Sequence, residues 1–211
     1  MEGKLKLTKT FRYYTYGNPE KAQNIWFVLH GYGQLAFYFL RKFNVLDPDK
    51  HFVVAPEGMH RFYLKGTSGR VGASWMTKEA RLDDIEDNHH YLDQLSEQFL
   101  NTYTFDQRVV LGFSQGGATA SRWHARNSFC ADHFILWACV FPPDLEVKQD
   151  KKSIEASRNY FIIGKKDQYF EDHFEAIINK YQQEIPGIKI IPFDGPHNID
   201  HETLLSVAND I

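Results

Sequence analysis

The chain has 211 residues, 43% of them hydrophobic, and its 24 Lys or Arg against 27 Asp or Glu leave a net charge of -3. That length supports one sizeable core and is short for two ordinary domains, so a single domain over residues 1–211 is expected. The charge balance provides no basic footprint for nucleic acid, and no stretch approaches the roughly 18 apolar residues of a membrane span.

The segment Met1 to Leu7 is polar and lacks the apolar run of a signal peptide, which points to a cytoplasmic protein. Phe11 to Tyr16 ends at Gly17-Asn18-Pro19 and reads as an antiparallel edge strand. Ile25-Trp26-Phe27-Val28-Leu29 is a continuous apolar strand running into His30-Gly31-Tyr32-Gly33-Gln34, whose glycines let backbone N–H groups turn inward. A His-Gly turn at that place serves as an oxyanion hole, with the N–H of Tyr32 as the expected donor. A further apolar run covers residues 52–55.

Residues 79–102 carry Leu82, Ile85, Leu92, Leu95 and Phe99 at helical spacing, with acids in the first turns where the helix dipole favours them. His89 and His90 adjoin those acids, but neighbouring helix positions point about 100° apart and do not chelate one ion, so a solvated face is expected. Cys130 and Cys139 form neither a metal set nor a disulfide framework, and Cys139 reads as a small buried hydrophobe.

Arg108 to Ala120 is the most informative stretch. A buried strand, Val109-Val110-Leu111, meets Gly112-Phe113-Ser114-Gln115-Gly116, followed by the small residues Gly117, Ala118 and Ala120. This spacing puts Ser114 at the apex of a strained strand-to-helix turn and the N–H of Gln115 at a helix N-terminus, a second oxyanion donor. Three fixed residues alone would recur in about one chain in fifteen, so the weight rests on the strand before and the closely packed helix after.

Apolar runs follow at 134–141, 160–164 and 188–193, giving a strand–crossover–strand cadence and hence an α/β class with a mainly parallel sheet. A serine nucleophile in this architecture needs an acid and then a base, in the chain order Ser, Asp, His. Asn159 to Gly164 is followed by Asp167; Asp172 is the alternative, set inside the next helix. The last strand leads to Gly195-Pro196-His197; His201 competes, but Asp200 reads as an N-cap that would put His201 in a helical turn.

Together, His30-Gly31-Tyr32-Gly33, Ala55-Pro56-Glu57-Gly58, Ala73-Ser74-Trp75, Gly112 to Gly117, Gly164 to Asp167 and Gly195-Pro196-His197 resemble the phospholipase/carboxylesterase family of α/β-hydrolases, which includes acyl-protein thioesterases. The resemblance covers nearly the whole chain. It departs at Gln34 to Phe39 and at Phe141-Pro142-Pro143-Asp144. It implies an α/β-hydrolase fold of about seven strands without a large cap. It implies a serine esterase acting on a small-molecule ester or thioester with no cofactor and no metal, and Trp75 near the acyl or alcohol pocket.

Aromatic residues make up 15% of the chain, and Phe37, Tyr38, Trp75 and Phe170 are expected to contact an apolar substrate. The triad Ser114, Asp167 and His197 would also suit a serine peptidase or acyltransferase. A catalytically silent binding protein on the same scaffold is the competing class.

Overall fold

A computed structural model describes residues 3–145 and 151–211. Seven strands form one sheet: β1 (Tyr13–Tyr16), β2 (Asn24–Leu29), β3 (His51–Pro56), β6 (Gln107–Phe113), β7 (His133–Trp137), β8 (Arg158–Gly164) and β9 (Lys189–Phe193). Their spatial order is β1-β3-β2-β6-β7-β8-β9, with β1 antiparallel to β3 and every other pair parallel. β2, β3 and β7 are buried at every position, because helices and loops cover both faces of the sheet and leave no solvent side to alternate with. β9 is the far edge and carries Pro192, which an edge tolerates because one side of its backbone has no partner strand.

The helices are α1 (Ala36–Leu40), α2 (Arg81–Leu100), α3 (Gln115–Ala125), α4 (Lys151–Ala156), α5 (Phe174–Glu184) and α6 (His201–Ala208). Asp200 caps α6, its carboxylate accepting from the N–H and hydroxyl of Thr203 at 2.9 and 2.7 Å. The core runs along both sheet faces and holds all four tryptophans, Trp26, Trp75, Trp123 and Trp137.

Three features differ from the sequence reading. The strand expected over 134–141 stops at Trp137, because Ala138 takes a left-handed conformation with φ 48° and Val140 turns out to solvent. In α2 the inward stripe is Asp84, Asn88, Leu92, Leu95 and Phe99, while Leu82 is 74% exposed. Asp84 takes the inward place because Thr77 N–H and His60 Nε2 lie 3.4 and 3.0 Å from its carboxylate oxygens. His89 is likewise buried, its Nδ1 3.0 Å from Arg126 Nη1, whereas His90 is exposed.

The third is a hairpin, β4 (His60–Tyr63) with β5 (Val71–Ser74), that periodicity did not disclose. Its second strand, Val-Gly-Ala-Ser, has little intrinsic β preference. It forms because it docks on the turn after β2: Gly33 N–H donates to the Ala73 carbonyl at 2.9 Å and Ala73 N–H to the Gln34 carbonyl at 3.2 Å.

Candidate active site

The turn between β6 and α3 puts Ser114 at φ 52° and ψ -122°, a conformation that costs a side-chain-bearing residue on the order of 1–3 kcal/mol. The surroundings enforce it. A Cβ at Gly116 would stand 2.3 Å from the Leu29 carbonyl oxygen, so α3 packs against β2 only with glycine there. Ser114 N–H donates to the Trp137 carbonyl of β7 at 3.0 Å. Gln115 adds a lock that the motif did not disclose: its Oε1 accepts from Trp75 N–H at 3.2 Å and its Nε2 donates to the Met76 carbonyl at 3.0 Å.

The turn after β2 is held from beneath by His30, which is fully buried. His30 Nδ1 donates to the Gly31 carbonyl at 2.8 Å and Nε2 accepts from Gly58 N–H at 2.9 Å, which requires the neutral Nδ1–H tautomer. Burial favours that form, lowering the imidazole pKa to about 4. Gly31 N–H donates to Gln34 Oε1 at 2.9 Å. Among the described residues, neither Tyr32 N–H nor Gln115 N–H donates a hydrogen bond, and the latter is one of the N–H groups a helix start leaves open.

On the other side, the loops after β8 and β9 are joined. Lys166 N–H donates to the Gly195 carbonyl at 3.0 Å, and a Cβ at Gly164 would stand 2.3 Å from that oxygen. This brings together Asp167 and His197, 30 positions apart in sequence, with Nδ1 2.6 Å from Oδ2. Asp167 is fully buried, and its second oxygen accepts from Tyr169 N–H at 3.0 Å. The His197 ring lies 4.8 Å from that of Phe113, the residue before Ser114. Among the described residues no hydrogen bond joins Ser114 Oγ to His197, a pairing that often tightens only with substrate bound. Asp172 and His201 are both exposed, on a short 3₁₀ turn and in the first turn of α6 respectively.

The expected substrate contacts divide. Phe37 and Tyr38, on α1, are 48% and 62% exposed, while Phe170 is buried at 6%. Trp75 is fully buried, its indole N–H donating to the His30 carbonyl at 2.8 Å and its ring 5.0 Å from the His30 imidazole. Trp75 supports the turn from within, because its only polar atom is already satisfied there. Tyr32 and Tyr169 are as exposed as Tyr38, at 61% and 65%.

Two clefts of about 440 and 390 Å³ lie at the amino ends of the strands, lined by Gln107 with Asp132, His133 and Arg158, and with Asn24 and His51, and neither reaches Ser114. Among the described residues, no three His, Cys, Asp or Glu side chains come close enough to hold a metal. No helix among them is long and apolar enough to cross a membrane.

No family model and no curated protein sequence matches the chain. Solved structures do. The carboxylesterase from Mesorhizobium loti superposes with a TM-score of 0.71 at 15% identity, covering 94% of this chain and 93% of that one. Acyl-protein thioesterase 2 of Zea mays gives 0.67 at 16% identity over 94% and 96%. A phospholipase/carboxylesterase from Dyadobacter fermentans gives 0.65 at 17% identity over 97% of both chains. The sheet order, the elbow at Ser114 and these superpositions together place the chain in the α/β-hydrolase fold.

Proposed function

We propose that the chain is a serine hydrolase of carboxylic ester or thioester bonds, akin to the phospholipase/carboxylesterase group, with the whole of residues 1–211 acting as one domain in the cytoplasm. The observation that carries this reading is the Asp167–His197 pair at 2.6 Å, whose imidazole lies 4.8 Å from the ring of Phe113, the residue before a serine held at φ 52°. The esterase and thioesterase names of the structures with the same fold support it.

In the proposed cycle, His197 takes the proton of Ser114 as Oγ attacks the ester carbonyl, and the N–H groups of Tyr32 and Gln115 receive the developing oxyanion. Asp167 holds the Nδ1–H tautomer and stabilises the imidazolium. His197 then protonates the departing alcohol or thiol, leaving an acyl-serine. Water, deprotonated by His197, attacks the acyl carbonyl, and His197 then returns that proton to Ser114 Oγ as the Oγ–acyl bond breaks and the carboxylic acid leaves. Side chains and backbone dipoles supply every step, so no cofactor enters.

The substrate is read as a small or short-chain ester, and the exposed rings of Phe37, Tyr38 and Tyr32 are offered as its apolar contacts. The test is hydrolysis of p-nitrophenyl esters of graded length by the wild type and Ser114→Ala, with intact-mass detection of a phosphonate adduct. Serine-dependent turnover with the label on Ser114 is expected. Absence of both turnover and label would transfer the chain to the binding-protein class, while amide cleavage or transfer to added alcohols would redefine it as a peptidase or acyltransferase.

A further inference from the structure

Tyr169 is 65% exposed, yet its ring meets the His197 imidazole and its backbone N–H donates to the fully buried carboxylate of Asp167. Its ring centroid lies 4.7 Å from that of His197 with the planes at 72°, while Phe113 lies 4.8 Å from the same imidazole at 41°. Phe170 adds a more distant contact at 6.4 Å. The imidazole thus has one aromatic neighbour from the nucleophile strand and two from the acid loop, and 16% of its side chain remains open to solvent.

The acid loop delivers Tyr169 there by an Asx-type turn. Tyr169 N–H donates to Asp167 Oδ1 at 3.0 Å and Phe170 N–H to the Asp167 carbonyl at 2.9 Å, so the residue that orients the carboxylate also carries the ring on the imidazole. A histidine side chain has two rotatable bonds, and one hydrogen bond at Nδ1 leaves rotation about that bond's axis unopposed. Rings packed against it restrict that rotation, and they keep water from competing for Asp167 Oδ2, where a lower local dielectric strengthens the hydrogen bond.

We propose that Tyr169 is a positioning residue whose ring, together with Phe113, clamps His197 in the orientation that serves Ser114. The proposal rests on the triad reading above. It assigns the work to the aromatic ring; the hydroxyl has no part in it, and the backbone N–H is common to every non-proline substitution.

Tyr169→Phe and Tyr169→Ala test it, measured by ester hydrolysis and by the downfield proton resonance of His197 Nδ1–H. Tyr169→Phe should match the wild type in both. Tyr169→Ala should lower kcat about tenfold with KM changed less than about twofold, because orientation and not binding is lost. Its Nδ1–H resonance should broaden through exchange with water. Tyr169→Leu keeps apolar bulk without a ring and replaces the alanine variant if that one unfolds; it should show the same loss of kcat.

A sharp resonance and unchanged kcat in both ring-less variants would overturn the clamp. So would an effect confined to KM, which would make Tyr169 a substrate contact, or an equal loss in Tyr169→Phe, which would put the role on the hydroxyl. The two readings fail separately. Wild type that neither turns over esters nor takes a phosphonate label on Ser114 overturns the hydrolase reading, whereas the His197 resonance reports on the clamp without any turnover.

Discussion

Gly31 faces Ser114 so closely that a Cβ on the glycine would stand 3.1 Å from the serine Cβ and 3.1 Å from the Phe113 ring. The turn after β2 and the turn at Ser114 are therefore in contact at a position where a side chain would separate them.

Gly31→Ala should accordingly damage activity more than folding. The neighbours must give by a few tenths of an ångström, and those neighbours are Ser114 and the ring supporting His197. Displacements of that kind in a preorganised site cost about ten- to a hundredfold in kcat. The expected outcome is that loss, with a melting temperature only a few degrees lower; wild-type kcat in this variant would show that the contact is immaterial to chemistry.

Ser114→Gly should separate function from stability in the opposite sense. Glycine occupies φ 52°, ψ -122° without strain, so the variant should gain about 1 kcal/mol in urea unfolding while losing serine-dependent turnover. A destabilised Ser114→Gly would mean that the backbone at the elbow is not strained.

Acidification should weaken the fold between about pH 6.5 and 4. His30, His89 and His124 are buried, and burial is the first cause that lowers each pKa from the usual 6.5 to about 4. Between those values the unfolded chain holds protons that the folded protein does not, so stability falls as pH drops through this window. For His30 the effect is on the order of 3 kcal/mol when fully developed. Asp144, whose pKa is lowered chiefly by its hydrogen bond to Arg122, contributes only below the ordinary carboxylate value of 3.8. Unfolding free energies at pH 7, 6 and 5 should decline, and His124→Gln should flatten the decline. A level profile would contradict the buried neutral histidines.

Thiol reactivity should distinguish the two cysteines. Cys130 is exposed, whereas Cys139 is buried against Tyr181 and its thiol is pushed up to about 12 by burial. Native protein should release one equivalent of thionitrobenzoate quickly from Ellman's reagent, and the second only in denaturant. Two fast equivalents would place Cys139 within reach of solvent.

Local pattern alone was enough for the parts of the molecule whose partners are near in sequence or whose period is strong. The apolar runs at 25–29, 109–111 and 160–164 lie on strands of the parallel sheet, Phe11 to Tyr16 contains the antiparallel edge strand, and Asp200 caps the last helix. The elbow was legible because its glycines, serine and small residues act within a few positions of one another. Chain order then singled out Asp167 and His197, and the structure brings those two together. What only the tertiary structure decided involves partners far apart in the chain. Trp75 is buried with its indole N–H on the His30 carbonyl, 45 positions away. The hairpin β4–β5 exists because Ala73 pairs with the turn after β2, and Asp84 turns inward in place of Leu82 because Thr77 and His60 meet its carboxylate there. Burial and hydrogen-bond satisfaction are properties of the assembled neighbourhood, and a period of 2 or 3.6 residues carries no information about which distant group will fill it.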